Sequence, residues 1–232
     1  MRTRVKICGI TRAEDAAAAA ELGVDAIGLN FFAGPRQIPL DWAYEILSAI
    51  PPFVTPVALT SGPTTQFPKA PTIGEIQYGN ATAGRAPLPI WTFQYYGTSL
   101  FLAQIAEKSR CAVWGVCRIS EGDIAPQIVA YLQSISFRPG VIVIDAANGF
   151  QLGGTGQQMD WRELRDAVWL CLQKELFFHM ILAGGLTPEN VAEAIRIARP
   201  YAVDVSSGVE VAGKPGVKDP VKMRDFIQAA KG

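Results

Sequence analysis

Short apolar runs alternate with amphipathic stretches along most of this chain. Continuous or period-two apolar runs predict eight strands, at residues 3–8, 25–31, 53–59, 90–95, 112–118, 141–144, 181–183 and 203–205. Apolar residues at helical spacing predict helices between most of them, near residues 11–22, 40–50, 98–109, 123–135 and 160–172, and from residues 187 and 219 onward. This alternation is typical of a parallel α/β fold, and eight strand candidates favour one closed (β/α)₈ TIM barrel domain over residues 1–232.

Several predicted helices carry explicit start signals. Residues 11–14 (TRAE) read as a capping box, with Thr11 as the N-cap of an alanine-rich helix. Thr187 reads as the N-cap of a later helix whose first residue is Pro188. Asp160 and the Asp219–Pro220 pair are the corresponding signals for two further helices.

The alternation fails between residues 61 and 89. This segment holds nine glycines and prolines, and no amphipathic helix of normal length fits between them. A regular barrel has its third helix here. The sequence therefore predicts that this helix is degenerate or replaced by irregular chain.

Composition narrows the classes of partner. The chain of 232 residues is 49% hydrophobic and 18% charged with a formal net charge of zero, so no electrostatic argument favours a nucleic-acid or membrane partner. Four cysteines without paired spacing, and no signal peptide, indicate free thiols in a reducing cytoplasm. No apolar stretch reaches about 18 residues, so no membrane span is expected. A single histidine, His179, argues against a metal site.

Reactive groups of a (β/α)₈ barrel belong at the carboxyl ends of its strands. Cys8, Asp145 and Asp204 stand at or near such ends, and Arg36 lies on the loop after the second strand. We expect Cys8 to act as a base and Asp145 as an acid. The pKa of the thiol must then fall, with Lys6 as the candidate cause, and the pKa of the carboxyl must rise through desolvation.

Each of these residues also has a structural interpretation. The structural interpretation of Cys8 is a small buried hydrophobe, and that of Asp145 is a turn cap. Asp204 is as well suited to an ion pair with Lys6 or Arg4 as to ligand binding, because strands eight and one are neighbours in a closed barrel. Arg36 faces solvent unless a substrate carboxylate lies beside it.

Two turns made of small residues follow the last two strands. Gly184–Gly185 ends one strand and Ser207–Gly208 follows the other. Backbone N–H groups at such turns approach an anion closely. Adjacent turns after strands seven and eight predict a phosphate-binding cup, and hence a small phosphorylated substrate.

Five separated motifs occur in order: VKICGIT at residues 5–11, IDA at 144–146, GGTG at 153–156, ILAGGLTPENV at 181–191 and AVDVSSGVE at 202–210. With PGVKDP at 215–220, they closely resemble the phosphoribosylanthranilate isomerase family of tryptophan biosynthesis. The resemblance covers residues 3–50 and 140–230. It implies a (β/α)₈ barrel and an Amadori rearrangement of N-(5-phosphoribosyl)anthranilate, with no cofactor and a monomer as the default.

The resemblance also implies residue roles. Cys8 is the base that removes the proton from C2′ of the sugar, and Asp145 is the acid that protonates the furanose oxygen. Arg36 holds the anthranilate carboxylate, and Asp204 contacts the substrate. The family's phosphate cup corresponds to Gly184, Gly185, Ser207 and Gly208. Its mobile covering loop corresponds to Gly153, Gly154, Thr155 and Gly156.

The middle of the chain departs from the family's pattern. The family's fourth strand ends in Gln-Leu-His-Gly, and two echoes occur here, IQYG at 76–79 and FQYYG at 93–97. The second is favoured because a capped amphipathic helix follows it, and it puts Tyr96 in place of the histidine. The third strand, ending in VALT at 57–60, lacks the family's asparagine. These changes motivate an alternative, an inactive or repurposed barrel that binds a phosphorylated metabolite. The third possibility is another sugar-phosphate isomerase or epimerase on the same fold. Metal-dependent epimerases generally need several histidines, so the single His179 argues against that class.

Overall fold

Eight parallel strands close into a barrel in chain order. The structure is a computed structural model that describes residues 2–61, 76, 88–96, 111–135, 139–146 and 159–232. The strands are β1 (Arg4–Cys8), β2 (Ala26–Asn30), β3 (Thr55–Thr60), β4 (Thr92–Tyr95), β5 (Ala112–Ile119), β6 (Val141–Ala146), β7 (His179–Ala183) and β8 (Ala202–Val205). Pairing of β1 with both β2 and β8 closes the barrel, which confirms the predicted fold.

Helices surround the barrel. In the part of the chain that the structure describes they are α1 (Ala13–Glu21), α2 (Leu40–Ser48), α3 (Ile124–Ser134), α4 (Trp161–Gln173), α5 (Val191–Ala198) and α6 (Pro220–Lys231). A short 3₁₀ helix, Ser207–Val209, follows β8. The predicted helix at 98–109 and nearly all of the predicted irregular segment at 61–89 lie outside the described residues.

The two faces of β1 carry different kinds of residue. Val5 and Ile7 are buried in the main apolar cluster together with residues of α1 and α6. Lys6 and Cys8 point to the barrel interior, where Cys8 packs with side chains of β2 and β3. The polar face of this strand therefore delivers its side chains to the inside of the barrel.

Two predicted helix starts are wrong. Thr11 does not cap α1, because its hydroxyl donates to the carbonyl oxygen of Gly216 at 2.7 Å, and α1 begins at Ala13 without a side-chain cap. Helix α5 begins at Val191, and the residues from Thr187 to Asn190 form a hydrogen-bonded turn instead. Competing tertiary and turn hydrogen bonds override the local signals. The caps at Asp160 and Asp219 are confirmed.

The fourth strand lies at the second of the two echoes. Thr92 and Tyr95 pair with Val57 and Thr60 of β3, and the same strand pairs with β5. Ile76 of the first echo belongs to no strand. The preference for residues 93–97 is therefore confirmed, and Tyr96 follows the carboxyl end of β4.

Candidate active site

One cavity of about 470 Å³ opens at the carboxyl ends of the strands. Its size is normal for a small-molecule site. The structure brings every predicted site residue that it describes into the lining of this cavity: Cys8, Arg36, Asp145, Gly184, Gly185, Asp204, Ser207 and Gly208. The predicted covering loop through Gly153, Gly154, Thr155 and Gly156 lies outside the described residues.

Cys8 stands at the end of β1 with only 7% of its surface exposed. Burial raises the pKa of its thiol above the usual value, and the carboxylate of Asp204 adds to the rise, while Lys6 and Lys218 oppose it. The expected net fall in the thiol pKa is therefore wrong for the free protein. The effect of Lys6 has the predicted sign, but desolvation outweighs it.

Asp145 ends the buried part of β6 and is as shielded as Cys8. Burial raises the pKa of its carboxyl to about 6, with Asp204 as the second cause. Arg118 and Lys6 act in the opposite direction. The predicted direction of this shift and its predicted cause, desolvation, are both confirmed.

Asp204 and Lys6 form an ion pair across the seam between β8 and β1. Lys6 Nζ donates to Asp204 Oδ2 at 2.7 Å, with the side chains 2% and 6% exposed. The ion pair weighed from the sequence is confirmed. The second oxygen, Oδ1, is buried without a hydrogen-bond partner among the described residues, although the residue lines the cavity. Such an acceptor suits a ligand hydroxyl.

Arg36 is buried against a carboxylate rather than turned to solvent. Its Nε and Nη2 donate to Oε1 and Oε2 of Glu210 at 2.7 and 2.8 Å, and its side chain is 13% exposed. The solvent-facing interpretation is wrong. This bidentate pair aligns the planar guanidinium at the rim of the cavity.

The sequence does not single out Glu210 or Lys218, which lie behind Arg36. Lys218 Nζ donates to Glu210 Oε1 at 3.0 Å, and the lysine side chain is fully buried. Both residues lie in loops, where no strand or helix periodicity indicates that a side chain points inward. The available signal was their place inside two of the motifs, at 202–210 and 215–220.

The two glycine turns lie against each other. Gly184 and Gly185 have φ of +87° and +66°, in the left-handed region that favours glycine. A Cβ on Gly184 would lie 2.5 Å from the backbone nitrogen of Ala146, and one on Gly208 would lie 2.0 Å from the carbonyl oxygen of Leu186. Neither Gly184 nor Gly208 has room for a Cβ, so at these two positions only backbone lines the cavity.

Asn190 stabilises the first of these turns. Its Oδ1 accepts from the backbone N–H of Thr187 at 2.8 Å, and its Nδ2 donates to the carbonyl oxygen of Gly185 at 2.9 Å. The residue predicted to lie inside a helix therefore closes the turn before it.

Aromatic side chains line the side of the cavity near β2 and β4. Tyr96 and Phe32 meet edge to face with 5.2 Å between ring centroids. The Tyr96 hydroxyl accepts from Gln94 Nε2 at 2.8 Å. Burial, with Asp145 as the next cause, raises the pKa of Tyr96 well above its usual value, so the phenol stays protonated at neutral pH.

The described residues include no group of three His, Cys, Asp or Glu side chains placed to hold a metal ion. His179 begins β7 and stacks on Tyr201, 4.3 Å between centroids, away from the cavity. Within the described ranges, no helix has the length and apolar content to cross a membrane.

Comparison with known proteins gives one consistent result. Residues 124–229 match the sequence model of N-(5'phosphoribosyl)anthranilate (PRA) isomerase. The N-(5'-phosphoribosyl)anthranilate isomerase of Acidithiobacillus ferrooxidans is 42% identical over 99% of this chain and 98% of its own. That of Nitrosococcus oceani is 39% identical over 98% of this chain and 97% of its own.

Solved structures agree with these relatives. The phosphoribosyl anthranilate isomerase of Thermotoga maritima superposes with a TM-score of 0.77 at 30% identity, over 99% of both chains. A phosphoribosyl anthranilate isomerase in complex with reduced 1-(o-carboxyphenylamino)-1-deoxyribulose 5-phosphate does so with a TM-score of 0.72 at 31% identity, again over 99% of both chains. Identity of this level over nearly the whole length means that the chain belongs to the N-(5'-phosphoribosyl)anthranilate isomerase family.

Proposed function

We propose that this protein converts N-(5'-phosphoribosyl)anthranilate into 1-(o-carboxyphenylamino)-1-deoxyribulose 5-phosphate, an Amadori rearrangement of tryptophan biosynthesis. One observation carries the proposal: a thiol and a carboxyl with raised pKa share one cavity with an oriented arginine and a pair of glycine turns. These are an acid, a base and two anion sites. The proposed substrate has two anionic ends and reacts by proton transfer between them.

The two anionic ends of the substrate are assigned to different sides of the cavity. The phosphate binds the backbone of Gly184, Gly185, Ser207 and Gly208. The anthranilate carboxylate binds Arg36, whose planar fork suits a carboxylate. This places the ribose between the two anchors, at the level of Cys8, Asp145 and Asp204.

The chemistry then needs two groups of opposite protonation. Asp145 donates its proton to the furanose oxygen as the C1′–O bond breaks, and the nitrogen lone pair forms a C1′=N iminium ion. Cys8, as thiolate, removes the proton on C2′; the C–H electron pair forms the C1′=C2′ bond and the C1′=N pair returns to nitrogen. Protonation of the enol at C1′, with loss of the proton on its hydroxyl, gives the C2′ ketone. The rearrangement is internal and consumes no oxidant, reductant or cofactor.

Asp204 has a supporting role in this proposal. Its Oδ1, which has no hydrogen-bond partner among the described residues, accepts a hydrogen bond from a sugar hydroxyl. The ion pair with Lys6 favours the charged form of the carboxylate against the effect of burial.

The proposal includes a single domain over residues 1–232, a monomer in the cytoplasm, and no nucleic-acid or membrane partner. The balanced net charge supports the last point. One solved structure is of monomers generated from the dimeric phosphoribosylanthranilate isomerase of Thermotoga maritima, so a relative of this chain forms a dimer. Measurement of the molecular mass by light scattering tests the oligomeric state of this protein.

The activity is tested by the loss of anthranilate fluorescence when purified protein meets freshly made substrate. We expect turnover by the wild type, and rates lower by about 100-fold or more for Cys8→Ala and Asp145→Asn. Growth of a tryptophan auxotroph lacking only this step is the matching test in cells. Tight binding of the reduced product analogue without turnover would instead identify a repurposed binding barrel.

A further inference from the structure

A buried charged bridge lies behind Arg36. The carboxylate of Glu210, 7% exposed, accepts four hydrogen bonds: two from Arg36, one from Lys218 Nζ at 3.0 Å and one from the backbone N–H of Gly216 at 3.0 Å. We call Arg36, Glu210 and Lys218 the Glu210 bridge. Its two cations and one anion leave one net positive charge beside the cavity.

The bridge continues to the other anion site. Lys218 Nζ also donates to the carbonyl oxygen of Ser206 at 3.1 Å. Ser206 immediately precedes the Ser207–Gly208 turn. A continuous set of charge-assisted hydrogen bonds therefore joins Arg36 to Ser206, the residue before the proposed phosphate-binding turn.

The aliphatic part of the Arg36 side chain is confined by neighbouring atoms, in addition to the pairing of its guanidinium with Glu210. A Cβ on Gly9 would lie 2.4 Å from Arg36 Cδ, so the side chain passes directly over this glycine. Glu210 occupies Nε and Nη2, and Nη1 makes no hydrogen bond to the described residues. Glu210 thus holds one edge of the guanidinium, and among the described residues nothing competes with a ligand for Nη1.

We propose that Glu210 is a specificity-determining positioning residue, which sets the Arg36 guanidinium in the orientation that selects a substrate with an aryl carboxylate. Glu210 touches no substrate atom and acts through Arg36. The inference rests on the proposed function, because it assigns the ligand of Arg36. Pre-organisation of the arginine lowers the entropy lost when the carboxylate binds.

A simple electrostatic account predicts the opposite sign. Glu210 is an anion close to the proposed carboxylate site, so its neutralisation would tighten anion binding if charge alone mattered. If orientation matters more, the same change weakens binding, because the released guanidinium adopts other rotamers. The sign of the effect therefore separates the two accounts.

The experiment compares two probes on the same variants. One is the reduced product analogue, and the other is its matched phenylamino analogue without the carboxylate. The variants are Glu210→Gln and the charge-retaining Glu210→Asp. In both, we expect the Kd of the carboxylate probe to rise about 10-fold or more, which corresponds to the loss of one charge-assisted hydrogen bond. The Kd of the probe without the carboxylate should change by less than about 2-fold. In the same variants the KM for the proposed substrate should rise with the Kd of the carboxylate probe, whereas kcat should change much less.

A double-variant cycle shows whether the effect passes through Arg36. In an Arg36→Met background, Glu210→Gln should leave the Kd of the carboxylate probe unchanged. Glu193→Gln removes the same charge from an exposed glutamate on α5 and is the control, with no expected change for either probe. Unfolding midpoints identify a variant that fails to fold, and Glu210→Asp then carries the test.

Two outcomes overturn the inference: tighter binding of the carboxylate probe by Glu210→Gln, or equal losses for both probes. Failure of the proposed function looks different. If the wild type binds both probes equally, the protein does not recognise the carboxylate at all. If the wild type prefers the carboxylate probe and the Glu210→Gln variant prefers it as strongly, only the role of Glu210 is refuted.

Discussion

At the scale of the residue, the same burial acts on both proposed catalytic groups with opposite consequences. Desolvation raises the pKa of Asp145 to about 6, which keeps more of it protonated as an acid requires. Desolvation also raises the pKa of Cys8, which reduces the thiolate that a base requires. The reactive form of the free enzyme, protonated Asp145 with ionised Cys8, is therefore a minority of the protein at neutral pH.

The pH profile of kcat/KM should show this arrangement. Below about pH 6 Asp145 is protonated and the rate rises with the Cys8 thiolate; above it, loss of the Asp145 proton cancels the gain in thiolate. We expect a rise that levels near pH 6, measured by initial rates at low substrate. A rate that continues to rise tenfold per unit through pH 8 would remove Asp145 from the acid role.

The buried carboxyl of Asp145 should also lower the free energy of unfolding of the protein. Its folded pKa of about 6 lies above the usual 3.8, so the cost is absent below pH 3.8 and complete above about pH 6, where it reaches about 3 kcal/mol. Asp145→Asn should therefore raise the free energy of unfolding at pH 7 but not at pH 3.5. Urea unfolding at the two pH values is the measurement, and equal effects at both would contradict the assigned burial penalty.

At the scale of the element, strand register clears the space for the proposed base. Cys8 of β1 lies directly opposite Gly28 of β2. A Cβ at Gly28 would lie 2.7 Å from Cys8 Sγ and 3.1 Å from Leu59 Cδ1. A glycine is needed at position 28 because neighbouring side chains leave no space for a Cβ. The backbone conformation of Gly28 is ordinary for a strand and does not itself require glycine.

Gly28→Ala should displace the thiol while the barrel still folds. We expect kcat to fall about 10- to 100-fold, because small misplacement of a catalytic group has a large effect on rate. Gly140→Ala is the matched control, since no atom lies within 4 Å of the Cβ it would add. Full kcat in Gly28→Ala, with unchanged alkylation of Cys8 by iodoacetamide, would show that the space is not needed.

At the scale of the whole molecule, barrel closure depends on the contact between the first and last strands. Lys6 and Asp204 occupy the same register position of β1 and β8, and their ion pair lies inside the barrel. Closure therefore places both charges out of water. The pair is favourable only while both members are present.

Lys6→Met should destabilise the protein by about 3–5 kcal/mol, because it leaves the Asp204 carboxylate buried without its partner. The exposed pair of Arg224 and Asp225 on α6 provides the control, and Arg224→Met should change the free energy of unfolding by less than about 1 kcal/mol. Urea unfolding measures both. A small loss in Lys6→Met would indicate that water reaches Asp204.

The Lys6→Met protein also tests the effect of Lys6 on Cys8. Lys6 lowers the thiol pKa against the larger effect of burial, so its removal should raise that pKa further. The pH dependence of Cys8 alkylation gives the value. An unchanged thiol pKa would exclude Lys6 as a cause.

Much of the fold and of the site follows from local sequence properties. Apolar periodicity depends on neighbouring residues, so it predicts the eight strands and the strand-end positions of Cys8 and Asp145. The small residues Gly184–Gly185 and Ser207–Gly208 mark the two turns for the same reason. The two failed helix starts show the limit, because Thr11 bonds to Gly216, which is 205 residues away.

By itself, then, the sequence determined the barrel, the strand-end positions of the proposed reactive residues and the two turns that line one cavity. Only the tertiary structure decided how those residues are charged and held. Burial from all sides reverses the expected pKa shift of Cys8, and Arg36 is oriented by Glu210, 174 residues further along the chain. Both effects depend on residues that meet only when the barrel closes, and no local pattern records them.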